Sequence, residues 1–321
     1  MKLRSVGSTV ALAVLLVASG CSSGPPRGAV RGNPVSPSPT NVAAIPTTTV
    51  PTSPTAGAAS PSGPCTGAAP PDAVTHVVWI IMENRGLRQI DGSGSAPYIN
   101  RLGRQCGVAT DYSGVAHPSL PNYIALTSGS TQGITDDAEP AGHRLAVPSI
   151  FSLLGPGWRA LAESMPTNCD RTTGGRYAAR HNPAVYYTNI AAACAAQDVP
   201  LGPVPDLSAR FTIITPDVCS DMHDCSTATG DRWLAGEVPQ ILGSAGYRSG
   251  STVLFITWDE NDSGGALVPT YVIAPSVPPA TRSSQPFDHY SLLRTTEDLL
   301  GLRPLLGKAA AATDMSPAFH L

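Results

Sequence analysis

Between positions 114 and 130 the chain reads GVAHPSLPNYIALTSGS, which sets His117, Ser119 and Asn122 around two prolines. Pro118 and Pro121 fix φ and lack amide donors, so they stiffen the stretch that carries the Ser119 hydroxyl. The pattern predicts that Ser119 is presented from a constrained loop, just before a helix over Leu120 to Ser128. A hydroxyl held in that way can serve as a nucleophile if a neighbouring group activates it. The plain alternative is a loop that only turns.

Two pairs of oxygen-bearing residues, three of the four acidic, answer to the serine. Glu83-Asn84 follows the run HVVWIIM, and Asp259-Glu260 follows STVLFITW. If the two runs are adjacent strands, four oxygen-bearing side chains meet at one point. Carboxylates gathered there repel one another unless a cation joins them. Glu83, Asn84, Asp259 and Glu260 are therefore candidate ligands for one divalent metal ion. All-oxygen ligation favours a hard ion, Ca²⁺, Mg²⁺ or Mn²⁺, over zinc. Either pair alone would read as a strand end facing water.

A third cluster is PDVCSDMHDCS, residues 216–226, which carries Asp217, Asp221, His223 and Asp224 between two cysteines. A carboxylate beside a histidine favours its cationic form. His289, in FDHYSLLRT, precedes a helix whose first amides could help it hold an anion. RYAARHNP adds a small basic group, Arg176, Arg180 and His181. His143 reads as a residue of a polar loop without partners, and His76 as structural. One chemistry uses all these parts: a serine attacks phosphorus, cationic groups neutralise the phosphoryl oxygens, and a histidine protonates the leaving group. Acyl transfer would call for a GxSxG elbow, which HPSLP is not.

The elements that must position these groups follow from hydrophobic patterning. Short runs of apolar, β-branched and aromatic residues without alternation, Val77 to Met82 and within 209–217, 251–262 and 270–276, suit strands buried on both faces. Helices are predicted over 98–104, 120–128, 149–154, 230–242 and 290–300. Their alternation predicts an α/β sandwich with a mostly parallel sheet covered by helices on both faces. Functional groups of such sheets collect at the carboxyl ends of the strands, where the acids lie.

The N-terminal end reads as export machinery. Lys2 and Arg4 precede the apolar stretch Val10 to Val17, and Ala18-Ser19-Gly20 leads to Cys21. The stretch is too short to span a bilayer as a mature helix. Residues 1–20 are expected to be a lipoprotein signal peptide, and Cys21 the lipidated residue. Residues 21–72 are rich in Pro, Thr and Ser and read as a disordered tether. That leaves 73–321 as one domain with a full core. Only 13% of the chain is charged and its formal net charge is −3, so no basic nucleic-acid footprint exists. Six cysteines remain beyond Cys21, an even number suited to disulfides in an exported domain. Spacing suggests Cys219 with Cys225, Cys169 with Cys194 and Cys65 with Cys106, among 15 connectivities. A zinc–cysteine site would need paired CxxC units.

The motifs MENR, SAPYINRL, HPSLPNYIALTSG, RYAARHNP, DMHDCSTATGDRWL, TWDEND and DHYSLLRTTEDLLGL occur in an order that resembles the bacterial phosphoesterase family. That family comprises secreted acid phosphatases and phospholipases C on an alkaline-phosphatase-like core. In length and spacing the chain is most similar to the family's short mycobacterial secreted acid phosphatases. The resemblance implies metal binding by Glu83, Asn84, Asp259 and Glu260, with Ser119 as nucleophile. It also implies Asn122 and His181 as phosphate-binding groups. His117, His223 and His289 would bind phosphate or act as acid, Asp224 orienting a histidine. Two departures stand out: Leu120 replaces a frequent acid, and SGGALVPT follows TWDEND. The expected function is an exported, lipid-anchored phosphomonoesterase acting on a small phosphorylated substrate. It is expected to be a monomer that touches the membrane only through Cys21. The alternatives are a phosphodiesterase of phospholipase C type and a non-catalytic lipoprotein that binds a phosphorylated ligand.

Overall fold

HVVWIIM forms strand β1 (His76–Met82), every residue of which after His76 is buried. Successive strand side chains point to opposite faces, so both faces of β1 are covered. The computed structural model describes residues 63–262 and 265–321. The expected signal peptide, Cys21 and the tether as far as residue 62 lie outside the described residues. Nine further strands follow: β2 (Gly107–Ala109), β3 (Tyr112–Ser113), β4 (Trp158–Ala162), β5 (Asp198–Pro200), β6 (Phe211–Thr215), β7 (Thr252–Trp258), β8 (Thr270–Ile273), β9 (Thr281–Ser283) and β10 (Phe287–Asp288).

Eight of these build one sheet in the order β5-β4-β6-β1-β7-β8-β2-β9, and β3 pairs with β10. The strands from β5 to β7 run parallel. Only β8 opposes its neighbours, β7 and β2, while β9 is parallel to β2. This is the mostly parallel α/β sheet that the buried runs predict. Helix Pro97–Gln105 packs on helix Thr227–Leu242, and helix Ser119–Ser128 packs on helix His289–Leu299. Trp79 ties β1 to the last of these, its indole Nε1 donating to Thr296 Oγ1 at 3.0 Å. Among the described residues no helix is long and apolar enough to cross a membrane.

Two boundaries differ from the sequence reading. Ser119 is the first residue of its helix, with Pro118 as N-cap, and does not sit in a loop ahead of it. Pro121 falls in the first turn, where amides lack intrahelical acceptors, so the missing N–H does no harm. The fold also begins before Ala73. Cys65 is bonded to Cys106, and the amides of Thr66 and Gly67 donate to Pro275 and Val277 carbonyls. The other two disulfides join Cys169 with Cys194 and Cys219 with Cys225, as their spacing suggests.

Candidate active site

Adjacent parallel strands β1 and β7 run in register to their ends, Met82 opposite Trp258. Glu83 and Asp259 are the next residues, so both leave the sheet at the same edge. The Asp259 amide donates to the Met82 carbonyl at 3.0 Å, and the Glu83 amide to Asp221 at 2.9 Å, which pins the loop after β6 beside them. Asn84 adopts φ 60°, a left-handed turn that asparagine tolerates, and its amide donates to Asp259 Oδ1 at 3.3 Å. Gly114 comes close on the other side, where a Cβ would lie 2.8 Å from the Asp259 carbonyl.

Into this corner the first turn of helix Ser119–Ser128 brings its hydroxyls. Ser119 Oγ donates to Glu83 Oε2 at 3.0 Å, and Tyr123, one helical turn later, donates to Glu83 Oε1 at 2.6 Å. His181 stacks on the Tyr123 ring with centroids 5.4 Å apart. Its Nε2 lies 3.4 Å from Glu83 Oε1 and its Nδ1 3.2 Å from Asp221 Oδ2. Beside it, His223 Nδ1 lies 2.7 Å from Asp224 Oδ1, and His223 Nε2 lies 3.2 Å from Arg180 Nη2. A guanidinium only donates, so Nε2 accepts and the His223 proton sits at Nδ1, facing Asp224.

The remaining expected residues have other partners. Glu260, whose charge acts on Asp259, has its Oε2 2.6 Å from His117 Nδ1. The two line a cavity of about 470 Å³ together with Gly114, Val115 and Ala116. Asn122 braces the turn that carries the serine. Its Oδ1 accepts from the Val115 and Ala116 amides at 3.0 and 2.9 Å, and its Nδ2 donates to the Ala116 carbonyl at 2.9 Å. His289 is fully buried, between the Tyr112 hydroxyl and the Asp259 carbonyl. His143, read as partnerless, pairs with Asp136. Sequence reasoning missed Tyr123 and the convergence of Asp221 on His181; the four-residue spacing of Ser119 and Tyr123 was the available signal for the first.

Glu83, Asp221 and Asp259 are all essentially buried. Burial raises the Glu83 carboxyl well above its ordinary range, and the charges of Asp259 and Asp221 raise it further. Asp259 is raised by burial and by Glu260, while the Ser119 hydroxyl favours its ionised form. Burial lowers His181, and Arg180 and His223 add to the effect. Asp221 Oδ2, Asp259 Oδ2 and both His181 ring nitrogens are buried without an aligned hydrogen-bond partner. Buried polar atoms are normally paired, so this concentration of orphaned atoms, two carboxylate oxygens and one accepting imidazole nitrogen among them, fits a cation. Glu83, His181 and His223 also form a mixed oxygen and nitrogen donor group.

The geometry has counterparts in known proteins. The family model described as "Phosphoesterase family" matches residues 92–303, a span that includes Ser119, His181, Asp221 and Asp259 but starts after Glu83. A phosphatidylinositol-3-phosphatase of Mycobacterium tuberculosis is 33% identical over 250 residues, covering 74% of this chain and 80% of that protein. A probable acid phosphatase of Kluyveromyces lactis is 24% identical over 248 residues, covering 68% of this chain and 56% of the yeast protein. The chain thus spans little more than half of that yeast relative. Among solved structures, a protein of the alkaline phosphatase superfamily from Vibrio parahaemolyticus gives a TM-score of 0.54 at 11% identity. It covers 76% of this chain and 70% of that one, a likeness of fold.

Proposed function

The chain belongs to the phosphoesterase family, and from that premise we propose that it hydrolyses phosphomonoesters through Ser119 as nucleophile. The observation that carries this reading is the Ser119 Oγ hydrogen bond to buried Glu83 Oε2, made from the first turn of a helix. Glu83 and Asp259, with Asn84 beside them, suit one hard divalent ion, Ca²⁺, Mg²⁺ or Mn²⁺. When bound, such an ion supplies positive charge to phosphoryl oxygens and acidifies a hydroxyl.

The protein's own groups divide the remaining work. Ser119 Oγ attacks phosphorus as Glu83 Oε2 takes its proton. His117, 73% exposed at the open side and held by Glu260, gives a proton to the departing alkoxide. Water then attacks the phosphoserine as His117 takes its proton, the P–Oγ bond breaks, and Glu83 returns its proton to Ser119 Oγ, so phosphate leaves with the three groups restored. His181 and His223 face the reacting centre, and Asp224 fixes the proton of His223. Asn122 keeps the Ser119 turn rigid. The three disulfides support folding in an oxidising compartment outside the cytoplasm, and lipidation of Cys21 would hold the protein at the membrane there.

The test is phosphate release from an aryl phosphomonoester over roughly pH 4 to 8, the span in which carboxylates and histidines change charge. Ser119→Ala is expected to lose activity by about 10³-fold or more. Turnover of the matching diester alone would replace this reading with a phosphodiesterase of phospholipase C type. A folded protein inert toward both, with any divalent ion, would instead be a phosphate-ligand-binding lipoprotein.

A further inference from the structure

The contacts around Ser119 close into a ring. From Ser119 they pass through Glu83 to His181, whose ring lies 5.6 Å from that of His223, and on to Arg180. Arg180 Nε then faces Asp137 Oδ2 at 3.7 Å, and Asp137 Oδ1 accepts the amide of Leu120, next to Ser119, at 2.9 Å. Among the described residues of this ring, Arg180 is the one whose charge does not depend on pH. Its Nε is buried, and 3.7 Å is too long for a hydrogen bond, so that donor has no acceptor. The guanidinium is not sealed in: the Arg180 and Asp137 side chains are 21% and 34% exposed, so this arc of the ring meets solvent.

We propose that Arg180 reads the second negative charge of a phosphomonoester and thereby sets a preference for monoesters over diesters. This rests on the phosphomonoesterase reading above and concerns the same site. A monoester offers three non-bridging oxygens and, above its second pKa of about 6, two charges. A diester offers two such oxygens and one charge. A guanidinium carries its donors in a planar fork suited to paired phosphate oxygens, and an unpaired buried donor is the feature a ligand oxygen would satisfy. Asp137 does not already serve that purpose, because its nearest oxygen, Oδ2, stays 3.7 Å from Nε while Oδ1 is held by the Leu120 amide. The proton of His223 is held at Nδ1 by Asp224, 2.7 Å away, so removing the guanidinium leaves that tautomer in place.

Arg180→Gln and Arg180→Lys, made in the full-length exported protein, test the assignment. The readouts are kcat/KM for an aryl phosphomonoester and an aryl methyl phosphodiester, and inhibition by inorganic phosphate against dimethyl phosphate. Arg180→Gln is expected to lower monoester kcat/KM about 100-fold and weaken phosphate inhibition at least about tenfold. Diester turnover and dimethyl phosphate inhibition should stay within about threefold, with Arg180→Lys intermediate on the monoester. Equal losses on both substrates, or none on either, would overturn the assignment. Should Arg180→Gln fail to fold, Arg180→Lys decides by the same comparison. Wild-type protein inert toward monoesters would sink the phosphatase reading. The role of Arg180 would then be judged by phosphate against dimethyl phosphate binding.

Discussion

His289 Nε2 lies 2.6 Å from the main-chain carbonyl of Asp259, and its Nδ1 lies 3.0 Å from the Tyr112 hydroxyl. A carbonyl only accepts, so Nε2 carries the proton and Nδ1 accepts from Tyr112. Burial pushes this imidazole down to about 4, which keeps it neutral. The resemblance implies that His289 binds phosphate or acts as acid; in the structure its ring nitrogens face the Asp259 carbonyl and the Tyr112 hydroxyl.

His289→Phe is therefore expected to lower kcat by roughly 10- to 100-fold with little change in KM, as for a lost outer-shell partner. His289→Gln, which can still donate to the Asp259 carbonyl, should recover part of the loss. Steady-state kinetics on the monoester check this. A rise in KM with kcat intact would instead mean that His289 touches substrate.

Glu83, Asp221 and Asp259 crowd three carboxyl groups into one buried corner. Glu83→Gln removes one of them, keeps an acceptor oxygen for one of the Ser119 and Tyr123 hydroxyls, and turns an amide donor toward the other, which can accept. In chelator, the variant is expected to melt about 3–6 °C above wild type, on the order of 1–2 kcal/mol, while its activity is lost. Adding Ca²⁺, Mg²⁺ or Mn²⁺ should raise the wild-type Tm, and the variant should respond less. Thermal melts with and without each ion decide it; a variant that melts lower in chelator would contradict the crowding argument.

Two acids away from the site set a pH dependence. Burial pushes both Asp198, bonded to Asn182 Nδ2, and Glu297, which accepts the Leu306 amide, up to about 7. Unfolded, both titrate near 4. Between about 4 and 7 the folded protein holds more protons than the unfolded chain, so these groups make stability fall as pH rises through that window. The Tm is expected to be higher at pH 5 than at pH 8, and Asp198→Asn should flatten the slope. Melting curves across that range would refute this if Tm rose with pH.

What could be read before folding depends on how local each cause is. The Glu83 and Asp259 pairing was legible because two buried runs each end in an acid, and parallel neighbours in register place those ends together. Ser119 was legible through its flanking prolines. The partners of Glu260 and Asn122 were not: Glu260 reaches His117 from the loop after β7, and Asn122 reaches back from its helix to the 115–116 turn, contacts that only the packed fold sets. Asp137 and Arg180 are 43 residues apart in sequence, as are Arg180 and His223, and no periodicity announces either contact. The export signals lie on residues that the fold does not describe.

The bond between Cys219 and Cys225 closes a loop of sequence separation 6 that holds Asp221, His223 and Asp224. Two of those side chains belong to the wall of the site, facing His181 and Arg180. In a reducing cytoplasm this loop has no covalent clasp. Without that bond the segment 219–225, and with it His223 and Asp224, would lose its covalent tie beside the site. The alignment of Glu83 with Asp259 rests on the pairing of β1 with β7 and needs no thiol chemistry, so the redox state of the surroundings bears on one wall of the site and not on the other.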